Sequence, residues 1–248
     1  MAKTIHKIDL NPDTIIILND ATADFAVWDP LAATGSGGTE TISKPKDPLI
    51  RDPLSGSHVE EQEDDNDDTL INDCSEKYGI EYQVSSRHLM LASPWFRRAL
   101  TKEGWTESCR DSDGQFYIRT SGWDAEAFLI LMNILHLQNR KVPRTVSLEL
   151  LAKMVVLTDY YECPEATEVF MGLWTDEIKT NVPIPDVLCR DLLLWMCVAW
   201  LLRLPEPFQQ TTLVAIKQES EESFDTLELP IPLYITGTIR KVTVAKLC

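Results

Sequence analysis

The stretch Tyr82-Gln83-Val84-Ser85-Ser86-Arg87-His88-Leu89-Met90-Leu91-Ala92-Ser93-Pro94-Trp95-Phe96 constrains the fold more than any other. It reads as a short strand ending at Val84, followed by two helices in close succession. Ser85 or Ser86 supplies an N-cap for the first helix. Leu89 and Leu91 are expected to face inward. Pro94 opens the second helix at its first position, where the missing N–H costs nothing, and Ser93 is its N-cap. Trp95, Phe96 and Leu100 give that helix an apolar stripe. Such a strand and helix pair is an assembly element, and none of its residues carries covalent chemistry.

Short apolar runs on either side extend the pattern. Asp13–Leu18 is β-branched and bounded by turn residues, which predicts a buried strand. Phe25–Trp28 is expected to be a second strand, antiparallel to the first across Asn19–Thr22, and Gln115–Arg119 a third. Ala125–Leu137 is apolar all round, which predicts a central helix. Ser147 is expected to cap the next helix, with Leu148, Leu151, Met154, Val155 and Tyr160 inward. A further helix over Glu165–Ile178 uses Val169, Phe170, Leu173 and Trp174. Pro183 and Pro185 mark a boundary. Beyond them, helices are expected over Asp191–Leu202 and Phe208–Gln218, with a short amphipathic segment at Leu233–Lys241.

Between Asp29 and Lys77 the composition changes. Gly35-Ser36-Gly37-Gly38 and scattered prolines lead into Glu60-Glu61-Gln62-Glu63-Asp64-Asp65-Asn66-Asp67-Asp68. So little apolar surface does not offset ordering entropy, and a disordered acidic insertion is expected. It reads as a solvating spacer or as a patch for a basic partner surface. The net charge of −16 over 248 residues, with no basic stripe, argues against nucleic acid as the partner.

The apolar run Leu192–Leu202 is too short to span a bilayer, and Met1–Leu10 does not read as a secretory signal. Cys74, Cys109, Cys163, Cys189, Cys197 and Cys248 form no CxxC pair and have no neighbouring His at zinc spacing, so free thiols and no metal are expected. With no N-x-Ser/Thr acceptor, the chain is placed in the cytoplasm or nucleus. His6, His58, His88 and His136 form no convincing catalytic set, and His88 is read as a satisfied core or interface histidine. No Gly-Lys-Ser/Thr follows Gly37 and no Gly-x-Ser-x-Gly elbow exists. Asp111-Ser112-Asp113-Gly114 is read as a turn rather than a calcium loop. No catalytic residue and no cofactor are assigned.

Val84, Leu89, Ser93 and Phe96 sit where BTB/POZ domains keep an apolar residue, a Leu, a Ser and a Phe. With the order of strands and helices, the chain resembles a BTB/POZ domain over Ile8–Trp28 and Tyr78 to about Asn181. It is most similar to fungal BTB proteins around Phe25-Ala26-Val27-Trp28-Asp29, Ser85-Ser86-Arg87-His88-Leu89, Gly104-Trp105-Thr106-Glu107-Ser108 and Leu192-Leu193-Leu194-Trp195. The resemblance implies an α+β (mixed α/β) fold, a small sheet covered by a helical cluster. The domain would run over 8–182, interrupted at about 30–77, with a C-terminal helical extension over 186–241.

It also implies a non-enzymatic protein–protein interaction module, binding itself or other proteins. The alternatives are a substrate adaptor for a cullin-type ubiquitin ligase and a self-assembling scaffold. Trp105-Thr106-Glu107 matches the apolar-x-Glu motif of cullin-binding members, making Trp105 and Glu107 candidate partner contacts. The other reading of these residues puts Trp105 in the core and Glu107 at a helix cap. Asp13 matches the acid of the family's dimer interface. Ser85 and Ser86 replace the matching His and base, leaving Arg87 one place on as the candidate partner of Asp13. The segment before the first strand is too short for a long swapped helix and strand. Ile216-Lys217-Gln218-Glu219 fits the pattern of a SUMO attachment site at Lys217.

Overall fold

The structure, a computed structural model, describes residues 4–21, 24–28, 79–101, 106–218, 225–232, 234, 235 and 237. The expected acidic insertion, Trp105 and most of the last amphipathic segment lie outside these. The chain divides at Trp28 and Glu76, and one unit comprises Met1–Trp28 with Glu76–Cys248. Every described strand and helix belongs to that unit.

Among the described residues the architecture is α+β: one four-stranded sheet and seven α-helices. The strands are β1 (Ile5–Lys7), β2 (Thr14–Asn19), β3 (Ile80–Val84) and β4 (Phe116–Ser121), in the order β1-β3-β2-β4. β2 runs antiparallel to β3 and parallel to β4, and β1 runs parallel to β3. The register sets Ile16 beside Tyr82 and Ile118, and Thr14 beside Val84 and Phe116. Side chains alternate along a strand, so Ile16, Leu18, Tyr82, Val84 and Ile118 share one face, and all are buried. β3 enters the sheet at Gly79, where a Cβ would lie 2.7 Å from Asn19 Oδ1 and 2.8 Å from Ile17 Cγ2. Only glycine fits that approach.

The helices are α1 (Ser86–Ala92), α2 (Pro94–Thr101), α3 (Ala125–Leu135), α4 (Leu148–Tyr160), α5 (Pro164–Asn181), α6 (Arg190–Leu201) and α7 (Pro205–Gln218). α3 is central as expected: Phe128, Leu131 and Met132 are fully buried. Asp124 caps it by accepting from the Ala127 N–H, and Ser147 caps α4 by accepting from the Leu150 N–H. α6 is buried along one unbroken run from Leu192 to Ala199 and packs on α4 and α7. The segment expected to be an extension thus fills the same core as the sheet and α1–α5.

Several local expectations are corrected. Phe25–Trp28 is not a strand. Ala26 has a positive φ of 48°, and the Phe25 and Ala26 carbonyls accept from the Arg190 guanidinium instead of a neighbouring strand. Leu91 points to solvent at 81% exposure, because the seven-residue α1 turns only Ser86 and Leu89 inward. On α5, Val169 and Leu173 are exposed and Phe170 is half-buried, while Thr167, Met171, Trp174, Thr175 and Ile178 form the inner face. At the end of α4, Tyr160 is partly exposed and Tyr161 takes the buried place. β1 is an addition to the expected strands. Its three residues are mostly exposed, so they carry no apolar signal.

Candidate functional site

Where β2, β3, α1 and α3 meet, a set of polar side chains is tied together. Ser85 occupies the N-cap position of α1, but its side chain makes no cap. The cap comes from Asp13, just before β2. Asp13 Oδ1 accepts from the Ser86 N–H at 2.7 Å, and Oδ2 accepts from the Ser86 hydroxyl at 2.6 Å. A carboxylate at a helix N-terminus satisfies an orphan N–H and meets the positive end of the helix dipole. Arg110 stands 3.7 Å from the same carboxylate and lies over the Phe116 ring. Burial acts to raise the Asp13 pKa, but the two Ser86 hydrogen bonds, Thr14 and the Arg110 charge outweigh it. The carboxyl is held below its usual range.

His136 closes the other side. Its Nε2 lies 3.0 Å from the Ser85 backbone nitrogen, which only donates, so Nε2 is the acceptor. Nδ1 therefore carries the proton and donates to the Met132 carbonyl at 2.8 Å. Burial lowers the His136 pKa, and this neutral tautomer fits its two bonds. His88 packs beside it, ring centroids 5.1 Å apart, half-buried and with its Nδ1 unpaired.

The α1–α2 pair is pinned by a second set of contacts. The Ser93 hydroxyl accepts from the Phe96 N–H at 3.0 Å and donates to the Tyr161 carbonyl at 2.5 Å. One side chain thus caps α2, as expected, and ties it to the end of α4. Phe96 stacks on Tyr161 at 4.9 Å with planes 3° apart, and Trp95 meets Tyr161 edge-on.

The remaining candidate residues do not gather at this junction. Asp13 is brought to Ser86, Thr14 and Arg110, whereas Arg87 is exposed on α1. Glu107 is half-buried in a 3-10 turn, Thr106–Ser108, that comes after α2. Lys217 is exposed on the last turn of α7, while Glu219 lies outside the described residues. Asp111–Gly114 is a turn: the Gly114 N–H donates to the Asp111 carbonyl and Gly114 has φ 79°. Cys109, Cys163, Cys189 and Cys197 are free thiols. Burial pushes the Cys163 and Cys197 thiols up to about 12, so both stay protonated.

The parts played by Ser86, His136 and Tyr161 are not legible in the sequence. Each bonds to residues tens of positions away, and no local pattern announces such a partner. No family model matches this chain, and no curated protein matches it. Among the described residues, no cluster of His, Cys, Asp and Glu could hold a metal ion, and no helix is long and apolar enough to cross a membrane.

Proposed function

We propose that the chain is a protein–protein interaction module of the BTB/POZ type, acting in the cytoplasm or nucleus to oligomerise or to recruit a partner. The observation that carries this reading is the β3–α1–α2 unit. Val84, Leu89, Ser93 and Phe96, the four positions of the resemblance, are all fully buried in it. Ser93 and Phe96 both dock on Tyr161, so these positions serve to hold the helix pair in place. Such a framework presents the outer faces of α1, with Arg87 and Leu91, and of α2, with Arg97 and Arg98, at a surface.

Sedimentation velocity at rising concentration, with affinity capture and mass spectrometry, tests the reading. Self-association alone supports a scaffold, and cullin peptides support an adaptor. A monomer that captures nothing overturns the module reading.

The adaptor reading is narrower and rests on Trp105-Thr106-Glu107 directly after α2, with Glu107 at the surface boundary. Trp105→Ala should weaken cullin binding by about 2 kcal/mol, as for a central aromatic anchor, and Glu107→Ala by less. Loss of folding in Trp105→Ala would put Trp105 in the core and remove the basis for the adaptor role.

A further inference from the structure

A second surface, away from the sheet junction, has the features of a docking groove. It is a cleft of about 750 Å³ between the end of α4, the length of α5 and the α6–α7 turn. Met171, Leu201 and Leu204 are among its apolar lining residues, and acids stand round it.

Three observations at this groove have no explanation within the chain. The hydroxyls of Thr158 and Thr175 are buried without a hydrogen-bond partner, and both residues line the groove. At 5% and 3% exposure they are almost wholly buried. A buried hydroxyl left unpaired costs about 1–3 kcal/mol. Gly172 lies in the middle of α5, where glycine costs roughly 0.5–1 kcal/mol relative to alanine. A Cβ there would meet nothing within 4 Å, so packing inside the chain does not demand glycine. Lastly, Glu162 is paired with Arg98, but Asp159, Glu165, Glu168 and Asp176 make no ion pair among the described residues. Lys179 and Arg203 offset only part of that charge. Burial, with the Glu162 charge beside it, raises the Asp159 pKa, as befits an acid without a cation near it.

We propose that this groove docks a cationic amphipathic peptide segment of a partner protein, its apolar side on Leu201, Leu202 and Leu204 and its backbone close over Gly172. Lys or Arg side chains on the segment meet Glu165, Glu168 and Asp176, and its polar groups satisfy the two threonine hydroxyls. Charge decides the occupant: an acidic segment, or another part of the same acidic face, is repelled. The inference does not rest on the BTB/POZ reading, because the groove carries it whatever the family.

The test uses the full chain and a fluorescein-labelled Leu/Lys amphipathic helix of about 14 residues, followed by anisotropy. Glu165→Lys/Glu168→Lys/Asp176→Lys should weaken binding at least about tenfold, and Gly172→Leu should do the same by filling the closest approach. Glu126→Lys, outside the groove, should change it less than about twofold. Thr175→Val removes an unpaired hydroxyl, so it should leave the melting transition unchanged or raised while weakening binding about fivefold. Absence of binding, an equal loss in Glu126→Lys, or full binding by the triple reversal overturns the proposal. Should Gly172→Leu disturb folding, the triple reversal and Thr175→Val still decide the matter.

Discussion

Ser93 shows how much one small side chain can hold. Its hydroxyl caps α2 and reaches the Tyr161 carbonyl from a fully buried position. Ser93→Ala removes the cap and leaves both the Phe96 N–H and the Tyr161 carbonyl short of a partner. We expect a loss of about 2 kcal/mol in urea unfolding, against a value near zero for an exposed serine. His136 gives the pH counterpart. Its folded pKa lies below the ordinary 6.5 because burial disfavours the charged ring, with His88 beside it also opposing protonation and Asp9 favouring it. The unfolded chain therefore takes up the proton first. Stability is full above about pH 6.5, falls as the pH drops below that, and levels off under the folded pKa. Urea midpoints at about pH 7.5 and about pH 5.5 should differ more in the wild type than in His136→Asn. His6, also lowered by burial, leaves a residual dependence of the same sign.

Among the elements, α5 is the one whose burial face departs most from the apolar pattern. Val169 and Leu173 are exposed, while Trp174 is fully buried and donates its indole N–H to the Pro143 carbonyl at 3.0 Å. Trp174→Ala should cost about 3–5 kcal/mol, through a cavity and a lost hydrogen bond. Leu173→Glu should stay within about 0.5 kcal/mol. Thermal unfolding of the two variants checks the orientation of the helix, and equal losses would contradict it. The threonines at 167 and 175 explain the misreading. They sit on the inner face, Thr167 by returning its hydroxyl to the Cys163 carbonyl, so hydrophobicity alone points the wrong way. Phe25–Trp28 fails as a strand for a related reason. Its Phe25 and Ala26 carbonyls are taken by Arg190, which also pairs with Glu149 of α4.

In the whole molecule, α6 decides what is core and what is appendage. Leu192, Leu193, Leu194, Met196 and Val198 are all buried. At about 2 kcal/mol each they are worth on the order of 10 kcal/mol, comparable with the entire stability of a domain. A chain ending at Asp186 should therefore lose its cooperative urea transition and its near-ultraviolet circular dichroism. A sharp transition in that fragment would mean that the sheet and α1–α5 fold without the tail.

The local pieces were legible in the residues alone: strands at β2, β3 and β4 within a residue or two, the helix pair with its second member opened by Ser93-Pro94, the Asp111–Gly114 turn, the Ser147 cap and the all-round burial of α3. Those come from side-chain period, capping and turn chemistry, which act over a few residues. It took the folded chain to show that Asp13 caps α1, that His136 accepts from Ser85, that β1 pairs with β3 and that α6 lies in the common core. Folding also brings Thr158 of α4 and Gly172 of α5 to one groove. Each joins residues far apart in the chain, and such a partner is chosen by packing across the whole molecule.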